Sequence, residues 1–322
     1  MSRQNTVILH GVVAEVPKIK EGEKDTFVVV HVIVSRGVRP TGDGRTTMRC
    51  DNPMIMSRNE DIIKEISTWS KGDIVHIKGV MSSKAIKKAS YCEHCGERNS
   101  FYGALLFVNP IFAEKEGHCS SSEETMEYLQ QHREVSNQVF AIGKLCRDPG
   151  KVRSKYDYKI TEYQMMIARK YWERTDPPEI RLDWPWVKSY GTNAENDFKY
   201  LQNKAEVYVD GCLQTRNVSR RVFCGQDSDE KKHPKKDENG LPVFKKDKNG
   251  KPVGCGMQYE WKDRITEIVP YSTEYLSGRR SDEEAERRSW DKETRTEESN
   301  TTDENIAGIY VQGETASQPP TA

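Results

Sequence analysis

Asn5–Pro17 reads NTVILHGVVAEVP, and Asn137–Pro149 reads NQVFAIGKLCRDP. Asn5, Gly11 and Pro17 of the first stretch return as Asn137, Gly143 and Pro149 of the second, each 132 positions later. The same offset carries Gly79 of KGDIVHIKG onto Gly211 of NKAEVYVDG, and Cys92 onto Cys224. It then grows once: Cys95 answers to Cys255 and Pro110 to Pro270, both at 160, which places an insertion of 28 residues between Cys224 and Cys255. Solenoid repeats run at about 20 to 50 residues. A period this long therefore implies two complete homologous domains, with one task duplicated or divided between them.

Composition agrees with two small domains. Of 322 residues, 35% are hydrophobic and 31% charged, the balance of a surface-rich chain with room for two cores. No apolar run approaches the roughly 18 to 20 residues of a membrane span, and strand-like sequence begins at Thr6 with no signal peptide before it. The expected location is the cytoplasm, associated with the nucleoid. The chain has eight cysteines, and reducing conditions there favour metal binding over disulfides for those that cluster. The net charge of zero is unevenly spread: residues 1–280 hold 46 bases and 39 acids, and the remainder 4 bases and 11 acids. A basic body with an acidic, Ser/Thr-rich end reads as a polyanion binder with a disordered tail.

Runs rich in β-branched residues recur between Gly, Pro, Asp and Asn turns: Val7–Val13, Phe27–Val34, Ile74–Val80 and Leu105–Ile111, then Val139–Leu145, Tyr163–Ala168, Trp186–Tyr190, Glu206–Leu213 and Asp263–Val269. Helical spacing occurs once per half, at Asp61–Trp69 and Ala194–Leu201, the second preceded by a Thr192/Glu195 capping box. About five strands with one helix between the third and fourth is the plan of an OB barrel. The fold class is thus all-β with minor α: two tandem five-stranded Greek-key OB barrels, each with one helix. The domains are residues 1–117, a linker 118–136, residues 137–276 with a lysine-rich hairpin insert at 225–254, and a disordered acidic tail 277–322.

From Asn137 to Leu276 the chain resembles the bacterial single-stranded DNA-binding protein family. The resemblance is carried, in order, by NQVFAIGKLCRDP, YQMMIAR, DWPWVKSYG, the AE…YL helix, VYVDGCLQTR and EIVPYSTEYL. It implies a non-enzymatic protein that binds single-stranded DNA largely without sequence preference and protects it in replication, recombination or repair. It also implies four barrels per assembly, hence a homodimer, and replication or recombination proteins as partners. The first half matches mainly through the internal repeat. Where the second has Trp184, Trp186 and Tyr190, the first has MRCDNPMIM, with no aromatic.

A single strand exposes phosphates and the faces of its bases, so its binder needs cations and flat side chains. The second half supplies Trp184, Tyr190, Trp172, Trp186 and Tyr156 among Arg169, Lys188, Arg216, Arg220 and Arg221. By position, Trp184, Tyr190 and Trp172 correspond to the family's stacking aromatics. Strand alternation points Trp184 and Trp186 to one face and Pro185 to the other. The first half offers less, chiefly Phe27, Arg36 and Lys84, and either binds weakly or serves assembly.

Cys92-Glu-His-Cys95-Gly has the spacing of a zinc-knuckle half-site, and Cys224-Gly with Cys255-Gly is its counterpart split by the insertion. Structural zinc takes four ligands, supplied by one shared Cys92/Cys95/Cys224/Cys255 site or by pairs joined across a dimer, with His94, His118 and Cys119 as substitutes. The insert repeats DENGLPV as DKNGKPV, each with an Asn-Gly turn, and its lysines offer charge to phosphates. No P-loop, HExxH or GxSxG is present, which argues against an enzyme. The competing expectation is an OB-fold adaptor of a replication or conjugation complex, whose aromatics bind protein.

Overall fold

The structure, a computed structural model, describes residues 4–22, 26–40, 45–152, 158–169, 182–228, 235–288 and 290. In chain order its elements are β1 (Asn5–Val13), β2 (Lys18–Glu21), β3 (Thr26–Pro40), β4 (Thr46–Asp51), β5 (Met54–Ser57), α1 (Glu60–Ser67), β6 (Asp73–Tyr91), β7 (Arg98–His118), α2 (Ser122–Gln131), β8 (Asn137–Leu145), β9 (Gly150–Lys151), β10 (Ile160–Ala168), β11 (Leu182–Asp183), β12 (Trp186–Tyr190), α3 (Gly191–Tyr200), β13 (Glu206–Phe223), β14 (Gln258–Ser277) and α4 (Asp282–Arg287). The described residues divide between two compact units, those within 4–83, 106–215 and 266–290 in the first and those within 84–105 and 216–265 in the second.

In the first unit β1 lies against β8 antiparallel, with Asn5 opposite Ala141, Val7 opposite Val139 and Leu9 opposite Asn137. Val139 is the residue 132 positions after Val7, so the pairing is symmetric about these two valines. The strands meet by the same edge, as in an isologous interface between identical subunits. Each also pairs inside its own half in one register: Val7 faces Gly79 on β6, and Val139 faces Gly211 on β13. A Cβ at Gly79 would stand 2.5 Å from the Asn109 carbonyl oxygen, and one at Gly211 2.3 Å from that of Val269. Both positions require a residue without a side chain. Asn5 closes the strand start by exchanging two bonds with the Met81 backbone, both 2.9 Å, and Asn137 does the same with Leu213 at 2.8 and 2.9 Å.

The remaining strands follow suit. β5 pairs β7 in parallel at Ile55–Val108, and β12 pairs β14 in parallel at Val187–Ile268. One refinement concerns β3 and β10, which correspond at 133: Val28 faces Ser57, and Thr161 faces Ser189. Alternation on β1 and β8 buries Val7, Leu9, Val139 and Ala141 on one face, which pack with Val30, Ile55, Ile66, Ile77, Tyr163, Ile167, Val187, Val207 and Ile268 in one continuous core. Burying each such side chain contributes roughly 1.5–3 kcal/mol.

Helix α1 starts at Asn59, whose side chain accepts the N–H groups of Asp61 and Ile62 at 2.9 and 3.2 Å and caps two donors the first turn leaves free. Helix α3 departs from the expected start. Its N-cap is Tyr190 with no side-chain cap bond, and Glu195 pairs with Lys159 and Lys199 rather than closing a box with Thr192. The segment read as linker carries α2, capped by Ser121 through the Glu124 N–H. The start of the expected disordered tail is also structured. Ser281 and Glu284 form a capping box for α4, Arg280 donates to the Leu201 carbonyl and to Asp148, and Trp290 meets Phe198 edge-on at 5.4 Å.

In the second unit the ends of β6 and β7 flank the turn Cys92–Gly96, and those of β13 and β14 flank the insert. Lys88 holds both carboxylate oxygens of Asp263 at 2.8 and 2.7 Å, and Ser90 meets the Tyr259 hydroxyl at 2.6 Å. Cys92, Val222, Cys224, Tyr259 and Trp261 form a small core. The insert is two short hairpins rather than one, marked by the bridges Lys236–Pro242 and Lys246–Pro252.

Candidate nucleic-acid interface and cysteine centre

β10 positions the aromatic stretch of the first unit. Its residues Gln164, Glu162 and Ile160 face Trp186, Lys188 and Tyr190 on β12. Trp184 lies between β11 and β12, where its N–H donates to Ser83 Oγ at 3.0 Å and its carbonyl accepts from Gln164 Nε2 at 3.3 Å. It is half-buried, and Tyr190 is 36% exposed with its hydroxyl 3.3 Å from Gln214 Oε1. Trp186 does not share Trp184's exposure. Trp186 is only 8% exposed, with the Arg147 guanidinium 4.7 Å over its ring. Burial also pushes the Arg147 pKa below its ordinary value.

Three expected phosphate contacts serve other groups. Arg169 is buried and binds Asp183 through Nε at 3.0 Å and Nη2 at 2.6 Å. Arg36, its equivalent at 133, binds Asp51 at 2.7 Å and Gln214 at 3.0 Å. Lys188 is buried, 3.9 Å from Glu162. The two aspartates, which the sequence reading missed, join the halves reciprocally. Asp183 accepts the Ser83 N–H at 2.7 Å, and Asp51 accepts the Thr215 N–H at 2.7 Å. Phe27 is half-buried under the Arg58 guanidinium at 5.8 Å. Tyr156 and Trp172 lie outside the described residues.

Lys84, Arg216, Arg220 and Arg221 belong to the second unit. Lys84 and Arg221 are exposed, Arg216 is half-buried, and Arg220 stacks over Trp261 at 5.6 Å.

The four cysteines expected to act together do converge there. Their Sγ atoms all lie within 4.8 Å of one another, with Cys92–Cys255 at 3.6 Å and Cys95–Cys224 at 3.5 Å. Four sulfurs about 2.3 Å from a tetrahedral zinc stand roughly 3.8 Å apart, so the cluster has nearly the size of such a site. Main-chain donors also point at the sulfurs. The Glu97 N–H, partly opposed by desolvation, brings the Cys95 thiol down to about 7; at Cys92, burial is outweighed by the N–H groups of His94 and Cys95. Burial drives Cys224 of the cluster up to about 12, and likewise raises Cys146, just past the end of β8, to about 12 and Cys212 on β13 to about 11. The substitute ligands are engaged elsewhere: His94 with the Gln258 carbonyl at 3.2 Å and His118 with Asp73 at 2.8 Å, while Cys119 is raised by burial. The cluster is symmetric, since Cys92 and Cys255 exchange with Cys224 and Cys95 under the repeat.

Comparison with known proteins agrees with this picture. Residues 136–232 match the Single-strand binding protein family. Single-stranded DNA-binding protein 1 of Chlorobaculum tepidum is 25% identical over 81 residues, which span 25% of this chain and 50% of that protein. Two structures of the Thermus aquaticus single-stranded DNA binding protein share the fold. A deletion variant has TM-score 0.50 and 13% identity over 88% of this chain and 100% of its own, and the wild type has TM-score 0.50 and 12% identity over 87% and 97%. The fold is therefore mostly β, of the kind found in those proteins. Among the described residues no helix is long and apolar enough to cross a membrane.

Proposed function

We propose that this chain binds single-stranded DNA without catalysing a reaction and protects it in replication, recombination or repair. The observation that carries the reading is the family match over residues 136–232, because that stretch contains the aromatic segment Trp184–Tyr190 and the cations that follow it. Trp184 and Tyr190, both partly exposed, are the platforms for bases. A stacked base is worth about 1–3 kcal/mol and is tolerated in any sequence because every base has a π-face. Trp186, held under Arg147, backs that surface. Arg216, Arg221 and Lys84 are assigned as phosphate contacts by their charge and partial exposure, while Arg169, Arg36 and Lys188 act by positioning their neighbours.

The architecture we assign is two OB barrels in tandem, supported by the shared register of β1 with β6 and β8 with β13. A homodimer would then supply four barrels, in the cytoplasm with the nucleoid. Zinc fits Cys92, Cys95, Cys224 and Cys255 as a closed structural ion, which would tie the turn after β6 to the ends of the insert and leave no ligand position for chemistry. Tryptophan fluorescence titrated with oligo(dT) and with duplex tests the reading: quenching by the single strand alone supports it, and equal response to both contradicts it.

A further inference from the structure

We propose that residues 235–254 of the insert between Cys224 and Cys255 are a phosphate-binding arm whose posture is set by a metal held at its root. The inference rests on the single-stranded DNA reading and adds a contact surface and a structural control to it.

The arm's free chemistry is cationic. Lys235, Lys246, Lys248 and Lys251 are exposed and Lys245 is half-exposed. Among the described residues none of these five ammonium groups has a carboxylate partner. Two of the arm's acids are built into its turns, while Glu238 is exposed. Asp237 Oδ1 accepts the N–H groups of Asn239 and Leu241, both at 2.9 Å, and Asp247 Oδ1 accepts those of Asn249 and Lys251, both at 2.8 Å. Each turn closes on a glycine of positive φ, Gly240 at +78° and Gly250 at +77°. Both turns occupy a carboxylate internally, and the second displays Lys248 and Lys251 where the first has Glu238 and Leu241. The cations thus gather on the second turn and on Lys235, Lys245 and Lys246, a pattern that suits a run of phosphodiesters.

Among the described residues the arm's main-chain hydrogen bonds fold it onto itself and its root, among them Asp227 N–H to Val243 O at 2.7 Å, Lys235 N–H to Asp227 O at 2.8 Å, Val243 N–H to Lys235 O at 3.0 Å, Lys245 N–H to Gly225 O at 2.9 Å, and Val253 N–H to Lys245 O at 2.8 Å. Phe244 brings a large ring to its base, edge-on to Phe223 at 6.4 Å. Closing so long an excursion costs chain entropy, and its two ends are two of the four clustered thiols. Gly254, at φ +81°, sits where a Cβ would come 2.5 Å from Cys224 Sγ, so the return strand is packed directly on the cluster. A metal joining Cys224 to Cys255 closes the loop, and binding free energy at such a site is folding free energy. The metal therefore orders the lysines.

The test uses the full-length, zinc-loaded chain and a variant carrying K235Q, K245Q, K246Q, K248Q and K251Q. Oligo(dT) affinity is measured over a salt series by tryptophan quenching, with and without zinc removal by a strong chelator. Each phosphate contact contributes about 0.7 to the log–log salt slope of a single strand. The expected result is a slope at least about 1.4 shallower for the lysine variant, two contacts' worth. Zinc removal should flatten the wild-type slope by the same amount and leave the variant's unchanged. A variant slope equal to wild type overturns the phosphate contact, and an equal fall in both proteins on zinc removal overturns the coupling. If wild-type protein shows no quenching at all, the DNA reading itself fails and this inference with it. The lysine substitutions lie on solvated turns, so the variant reports even if chelation unfolds the cysteine loops.

Discussion

Asp183 accepts the backbone N–H of Ser83 at 2.7 Å, across 100 residues of chain. The same carboxylate takes two bonds from Arg169, and the arrangement recurs in Asp51, Thr215 and Arg36. Each half thus lends an aspartate to the strand of the other, and two arginines with the look of phosphate contacts are consumed in orienting those aspartates.

Asp183→Ala should therefore destabilise the protein by about 3–5 kcal/mol, the typical cost of leaving a buried charge unpaired. Urea unfolding checks this, and the double variant Asp183→Ala/Arg169→Leu should recover part of the loss. A single-variant cost under about 1 kcal/mol would show that the pair carries no structural weight.

Trp184→Ala and Tyr190→Ala should each weaken oligo(dT) binding by about 1–3 kcal/mol with the unfolding midpoint nearly unchanged. Trp186→Ala should instead lower stability by about 3–5 kcal/mol, since its ring is buried. Swapped outcomes would put the stacking face on Trp186.

Purified, reduced protein should contain one zinc per chain, and Cys92→Ser, Cys95→Ser, Cys224→Ser and Cys255→Ser should each lower that content. Elemental analysis decides it. No zinc after metal-replete expression would leave four thiols with no bound ion, and the DNA reading would stand apart from that result.

Burial raises Asp197 to about 6, and donation from the Ser189 and Tyr275 hydroxyls only partly offsets it. An unfolded aspartate titrates near 3.9, so the folded state binds more protons between the two values. This group's contribution to stability falls as pH rises from about 4 to about 6. The wild-type midpoint should therefore drop relative to that of Asp197→Asn across that window, and parallel profiles would contradict the assignment.

The repeat, the strands and the cysteine cluster were legible because glycines that tolerate no side chain and cysteines at a fixed spacing recur at matching positions of the two halves. The aspartate exchange was legible too, and missed: Arg49–Pro53 (RCDNP) and Arg181–Pro185 (RLDWP) share an R-x-D-x-P pattern at the same offset of 132. Arg169 and Lys188 misled because charge in a sequence carries no sign of the carboxylate that will meet it from another strand. Trp186 misled because alternation gives the face of a side chain and not what covers it, here the Arg147 guanidinium. Helix α2 has one buried residue, Leu129, and so lacks the repeating apolar spacing that reveals a helix.

The most direct test of the central claim is the salt-dependent affinity of the full chain for oligo(dT), set against duplex of equal length. The account predicts tight, quenching binding to the single strand that weakens linearly in log–log form as salt rises, with far weaker duplex binding. Affinity independent of salt, or equal for both forms of DNA, would contradict it.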